Sequence, residues 1–278
     1  MQTPSDLTIR PRDIAFGRKS APGRWWMGND PIATAFYNAL SASFPQGERF
    51  FIDSVRRFRT AGSPELQEQI KAFTTQEAIH SREHVFFNQQ AVQAGYDLTK
   101  IDKVIKSRLE FGRSLPAIYQ LAATMALEHF TAVLAHAVLS DPRHLEQAPL
   151  DVQLMWRWHA IEEVEHKGVA FDTWMAARKD SWGITRWFAR VRAMFMATVI
   201  FLEFVFRGTA LFFKQDGINT PKSWWRLFLF LYGKPGLFRQ VMGAYFQFYL
   251  PGFHPWHVDD RALVASVDRE LRANYVAA

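Results

Sequence analysis

Apolar and polar positions along the chain recur at helical spacing, and no segment alternates with the period of two that a half-buried strand requires. From Asp30 to Arg178 the pattern predicts helices over 31–61 with a break near Pro45, 64–94, 100–112, 116–139 and 150–178. Asp30-Pro31 and Leu115-Pro116 read as a cap followed by proline in the first turn, and Gly95 as a C-terminal stop. Four of these helices are long enough for an antiparallel bundle, and the connections at Gly62-Ser63-Pro64 and 140–150 are short enough to join neighbours. After Lys179 the helices become apolar on more faces, over 184–214, 221–232 and 235–250, followed by a charged helix over 259–274. No polar Gly/Ser/Pro linker marks 179–181, so this half is expected to pack on the first as a second layer. The expected protein is all-α: an N-terminal extension at 1–30, a bundle at 31–178 and a helical cover at 179–278.

Chemistry enters through two Glu-x-x-His pairs, Glu77/His80 and Glu163/His166, each inside a predicted long helix. Chance supplies about 0.4 such pairs at this composition, so the pairs alone are a mild excess. Each is preceded, one helix earlier, by another interior glutamate, Glu48 before the first and Glu128 before the second. On a helix, residues three apart point the same way, so a carboxylate and an imidazole at i and i+3 converge on one point. Four helices can then place four carboxylates and two imidazoles in a bundle core. The chain has no cysteine, which excludes disulfides, thiolate zinc sites and iron–sulfur clusters. Oxygen and nitrogen donors of this kind suit iron or manganese.

Each motif helix carries one more histidine on the same face, His84 four residues after His80 and His159 four before Glu163. Either can be a seventh ligand or a partner that orients another ligand. Glu162 is a substitute ligand, being four residues from His166, while Glu165 points elsewhere. The competing view of Glu162, Glu163 and Glu165 is a solvated charged face with His166 as a bystander. His129, His136, His144, His254 and His257 are expected in packing or surface roles.

The order His159-x-x-x-Glu163-x-x-His166, with Glu48, Glu77, His80 and Glu128 upstream, resembles the ferritin-like di-iron N-oxygenases that oxidise arylamines such as p-aminobenzoate. The stretch Trp156–Asp172 is also similar to bacterial proteins catalogued as predicted metal-dependent hydrolases. The first resemblance implies a ferritin-like four-helix bundle, His159 as the additional ligand, two iron ions (or manganese, or a mixed pair), and O2 as cosubstrate in the oxidation of an apolar or aromatic substrate. An electron donor protein, or the substrate, would supply electrons. The second implies a metal-activated water attacking the substrate. A metal-storage or structural metal bundle is the non-enzymatic alternative.

Composition qualifies the second half. Of 42 aromatic residues, 21 fall between Ser181 and His257, where nine Lys or Arg face only Glu203 and Asp216. That gives the segment a net charge of +7, against +6 for the whole chain. Two uses follow: an apolar wall for a substrate tunnel, with Phe195, Phe201, Phe204, Met194 and Met196 as wall and Arg190, Arg192, Arg207 and Arg226 at its mouth, or peripheral contact with an anionic membrane through 181–257. A homodimer surface is a third. The apolar run Ala193–Phe206 is too short to span a bilayer, and the polar start of the chain carries no export signal, so a cytoplasmic protein, free or membrane-associated, is expected. No Gly-rich phosphate loop, hydrolase elbow or nucleic-acid motif is present.

Overall fold

The first two long helices start where the sequence supplies a cap. The structure, a computed structural model, describes residues 3, 4, 6–16 and 21–276; residues 1, 2, 5 and 17–20 of the expected extension, and 277–278 of the cover, lie outside the described residues. α1 (Pro31–Arg56) begins at Asp30, whose carboxylate accepts from the Ile32 N–H. α2 (Pro64–Gln93) begins at Ser63, whose hydroxyl accepts from the Leu66 N–H. Proline follows each cap, where its missing N–H loses no helical bond. α3 (Thr99–Ser114) and α4 (Ala117–Ser140) follow, and among the described residues no strand occurs.

Two expected boundaries are corrected. α1 runs through Pro45 without a break. Proline there deprives the Ser41 carbonyl of its helical donor. The Asn88 side chain of α2 replaces that donor, its Nδ2 bonding Ser41 O at 3.0 Å. Conversely, the single helix expected over 150–178 is two, α5 (Leu150–His166) and α6 (Val169–Ala177), parted at Lys167-Gly168. A Cβ on Gly168 would stand 2.7 Å from Thr3 Oγ1 and 2.9 Å from Trp256 Nε1, so only glycine admits this close approach. The buried Lys167 ammonium turns away to Asp260, 2.5 Å distant.

α1 packs along α2 and α4 along α5, and the two pairs meet where α1 touches α4 and α2 touches α5. The remaining helices are α7 (Gly183–Gln215), α8 (Pro221–Tyr232), α9 (Leu237–Gln247) and α10 (Arg261–Val276). α7 lies on α1 and α4, α8 on α1, α9 on α4 and α10 on α5, so the C-terminal half forms a layer over the first.

α7 is 33 residues long. α4 and α7 are both long and apolar enough to cross a membrane by length and composition, which corrects the reading of a 14-residue run. They differ in burial: the apolar stretch of α4 is 72% buried, that of α7 only 28%. One stripe of α7, Ile184, Phe188, Phe195 and Val199, is exposed, as are Trp225, Phe228, Leu229 and Tyr232 on α8 and Met242 and Phe246 on α9.

Candidate metal centre

The four glutamates and four histidines singled out above come from α1, α2, α4 and α5, and every one is buried. Glu48 descends from α1, Glu77, His80 and His84 from α2, Glu128 from α4, and His159, Glu163 and His166 from α5. Their donor atoms form overlapping sets in which one atom from each residue lies within 4.8 Å of the others: Glu77, Glu163 and His166; Glu48, Glu77 and His80; His80, His159 and Glu163; and Glu48, His84 and His159. Glu128 joins at the first set, its Oε2 standing 3.2 Å from His166 Nε2. Burial of Glu162, Glu163 and Glu165 removes the reading of α5 as a solvated charged face.

Both motif histidines are held from behind by the residue preceding the glutamate of the other motif. The Gln76 Oε1 meets His166 Nδ1 at 3.0 Å, and Glu162 Oε2 meets His80 Nε2 at 3.0 Å. Each ring therefore turns its other nitrogen inward: His166 Nε2 lies 3.2 Å from Glu77 Oε1, and His80 Nδ1 lies 3.5 Å from Glu163 Oε1. Glu162 thus stands behind His80, and among the described residues none of the convergent sets includes it. Arg12, from the N-terminal segment, ties the two supports together. Its guanidinium reaches Glu162 Oε1 at 3.3 Å and Glu165 Oε1 at 2.7 Å, and Glu165 Oε2 accepts from Gln76 Nε2 at 3.1 Å. Glu165 does point away from the centre, but into this buried network.

The two extra histidines have different surroundings. Asn88, fixed by its bond to Ser41 O, offers Oδ1 to the Ser41 hydroxyl at 2.8 Å. Ser41 Oγ, its proton so committed, accepts from His84 Nδ1 at 2.8 Å. His84 Nε2 then accepts from His159 Nδ1 at 2.7 Å, and His159 Nε2 carries a lone pair toward Glu163 Oε1, 3.0 Å away. A lone pair facing a carboxylate oxygen is repulsive unless a cation stands between them. Both His84 nitrogens are engaged by protein partners, whereas His159 presents one to the cluster.

Unpaired atoms make the same point. Both oxygens of Glu48, Glu77 and Glu128, one of Glu163, His80 Nδ1 and His166 Nε2 are buried without a hydrogen-bond partner among the described residues. Burying such groups unpaired costs a few kcal/mol each. Cations bound by oxygen and nitrogen donors fit this set, and metal removes the cost.

The electrostatics are those of a crowded, dry acid–imidazole cluster. Burial pushes the Glu48 and Glu77 carboxyls well above the usual range, with neighbouring carboxylates adding to it. Burial likewise pushes Glu128 up to about 7, against the pull of His166. For Glu163 burial acts in the same sense, but His166, with His80, outweighs it and holds the carboxyl well below its ordinary value. His80 behaves conversely: burial disfavours its charge, yet Glu162 and Glu163 raise it to about 10. Burial holds His84 well below its ordinary value and His159 at about 4.

A pocket of about 120 Å³ opens on the cluster, reaching Glu48, His159 and Glu163 between walls that include Phe44, Phe51, Phe201 and Phe204. The expected wall from α7 is thus present in Phe201 and Phe204, while Phe195 faces outward and Met194 is buried elsewhere in the core. Of the arginines expected at its mouth, Arg190 is buried and bonded to Leu250 O, Arg207 pairs with Glu203 and Arg226 with Asp30. The histidines expected in packing or surface roles take up buried bonds or surface positions: His129 to Ala244 O, His136 to Asp260, His144 to Gln240 and His254 to Asp172, with His257 exposed.

Sequence reading missed Arg12, Ser41, Gln76 and Asn88. The available signal was the residue before each motif glutamate, polar in both copies.

No curated protein and no solved structure matches the chain. The family model described as predicted metal-dependent hydrolase matches residues 10–259, from the segment bearing Arg12 to beyond the last buried histidine, and the chain belongs to that family.

Proposed function

We propose that the protein is a hydrolase whose buried Glu/His cluster holds two divalent cations and whose substrate is an apolar or aromatic small molecule. The observation that carries this reading is the convergence of both Glu-x-x-His motifs on nine buried ligand-type atoms that have no hydrogen-bond partner among the described residues. Glu77 and Glu163 belong to sets on both sides of the cluster, so each would offer a carboxylate to either ion. Glu128 and His166 would hold one ion, and Glu48, His80 and His159 the other. Cations bound there supply Lewis acidity and lower the pKa of a water.

The chain's own groups do the rest. Glu48 borders the pocket with both oxygens uncommitted among the described residues, so one Oε would hold the ion while the other takes the proton released when water attacks. Glu162 and Gln76 hold the rings of His80 and His166 in place. Phe44, Phe201 and Phe204 exclude bulk water. The water oxygen would bond to the electrophilic atom of the substrate as that atom's bond to the leaving group breaks, and the proton held by Glu48 would pass to the leaving group, so no electron donor is required.

A second reading is O2-dependent oxidation with two iron ions, or manganese or a mixed pair, with electrons from a donor protein or from the substrate. It is favoured by the imidazoles of His80 and His159 on one side of the cluster and by pocket walls that are almost wholly apolar. Metal-free protein reconstituted anaerobically with zinc, manganese or ferrous iron, then assayed on aryl and alkyl esters with and without O2, separates the readings. Hydrolysis without O2 supports the proposal. Turnover only with iron and with O2 consumed favours the second reading, and failure to bind any metal removes both.

A further inference from the structure

The pocket over the cluster continues outward. Two of its lining residues, Leu127 and Ile200, also line a larger groove of about 440 Å³ between α4 and α7. That volume is in the range of small-molecule sites. The groove is walled by aliphatic and aromatic side chains, among them Phe111, Tyr119, Trp174 and Met196, and among the described residues its only charged lining residues are Arg178 and Arg192. Phe111, Tyr119 and Met196 are exposed, so the groove opens to the surface.

The two groove arginines come from the C-terminal cap of α6 and from α7. Neither has a carboxylate partner among the described residues, whereas Arg207 and Arg226 do. The Arg178 Nε is buried and, among the described residues, has no acceptor. Each guanidinium lies over an aromatic ring of the groove wall, Arg178 at 5.7 Å from Trp174 and Arg192 at 5.3 Å from Tyr119. A guanidinium held on a ring face keeps its N–H edge free for a carboxylate or phosphate. Two unpaired cations at one apolar groove call for an anion attached to an apolar body.

We propose that this groove is the subsite for a single-chain anionic amphiphile, with its carboxylate or phosphate at Arg178 and Arg192 and its hydrocarbon chain passing between Leu127 and Ile200 into the pocket over the cluster. The group that reacts then lies along the chain, away from the anionic end. This names a substrate class for the proposed metal-dependent activity and rests on the cluster being its site, but binding in the groove is measurable without turnover.

Isothermal titration of metal-free and metal-loaded protein with the series octanoate, decanoate and laurate, and with methyl laurate, tests it. Binding should tighten by about fourfold for each added methylene that is buried. Arg192→Gln, and more so the Arg178→Gln/Arg192→Gln double variant, should weaken laurate by about tenfold while leaving methyl laurate unchanged. Ile200→Trp, with Leu127→Trp as the alternative should it fail to fold, should remove the advantage of laurate over octanoate and leave metal content unchanged. Dodecyl phosphate against laurate distinguishes the two head groups. Absence of binding by every amphiphile, equal losses for laurate and its methyl ester, or groove variants that alter only the oligomeric state would overturn the proposal. A hydrolysis assay that fails on every ester leaves these isotherms unaffected, so the two readings fail separately.

Discussion

The Glu162 carboxylate grips the Nε2 edge of His80 at 3.0 Å and so turns Nδ1 of the same ring toward Glu163. Gln76 does the equivalent for His166, one motif supporting the other in each direction. Partners of this kind typically contribute 10- to 100-fold in metal affinity. Glu162→Ala is therefore expected to lower metal affinity by roughly that factor with the fold retained, while Glu163→Ala should lose a metal outright. Metal content measured after dialysis against a graded chelator series reads both, and equal losses would place Glu162 among the ligands after all.

Arg12 ties those two supports together from outside the four helices. Its removal strands Glu162 and Glu165 as buried carboxylates, an imbalance costing about 3 kcal/mol or more. Arg12→Ala should lower the melting temperature more than Arg12→Lys, which keeps the charge but loses the fork. If thermal unfolding of both matched the parent protein, the segment would be an accessory to the site and not part of it.

Much of this was legible because helical spacing is a local property. Glu48, Glu77, His80, Glu128, Glu163 and His166 could be grouped from i, i+3 geometry and helix order, and the structure brings them together, Glu128 through His166. What escaped depends on contacts between distant segments. Nothing near Arg12 in the chain marks it as a partner of Glu165, 153 residues away. Pro45 read as a break because the sequence does not show Asn88 supplying the missing donor to Ser41 O. Glu162 and Glu163 are adjacent glutamates on one helix, and only the position of α2 decides which faces the cluster and which lies behind His80.

The chain from Asn88 through Ser41 and His84 fixes which His159 nitrogen bears the proton. His159→Ala should then abolish activity or empty one side of the cluster. His84→Ala and Asn88→Leu should leave metal bound but weakened, by about 10- to 100-fold. Titration of metal-loaded variants with a competing chelator distinguishes them. Identical mild effects at His84 and His159 would exclude a ligand role for His159.

The metal-free protein should lose stability as the solution becomes alkaline. His80 is raised to about 10 in the folded state by Glu162 and Glu163 against the cost of burial, so its contribution is complete below about 6.5 and is lost as pH rises through 10. Glu128, pushed up to about 7 by burial, acts in the same direction at lower pH, since the folded state binds the proton that the unfolded chain releases near 4.3. Metal replaces these protons, so the loaded protein should show a flatter profile. Melting temperatures of both forms between pH 6.5 and 10 test this, and parallel curves would contradict it.

The exposed stripe of α7 makes the last expectation, that the protein seats peripherally on anionic membranes. Trp182, Phe188 and Phe195 are 78%, 60% and 60% exposed, an apolar display that an ordinary soluble surface avoids. The segment 181–257 carries nine cations against two acids, of which Arg190 is buried and Arg207 and Arg226 are paired, and the remaining excess suits a negatively charged surface worth roughly 1 kcal/mol per nearby cation. Only 28% of the apolar stretch of α7 is buried, yet its other face packs on α1 and α4 and lines the pocket, so contact through one face is expected in place of a span. Cosedimentation should then show binding to phosphatidylserine vesicles, little to neutral ones, and a steep decline with salt, as charges are screened within about 10 Å at 0.1 M. Phe188→Ser/Phe195→Ser should weaken vesicle binding while leaving metal content intact. If that pair instead converts a dimer to a monomer, and vesicles never retain the parent protein, the stripe belongs to a second copy of the chain.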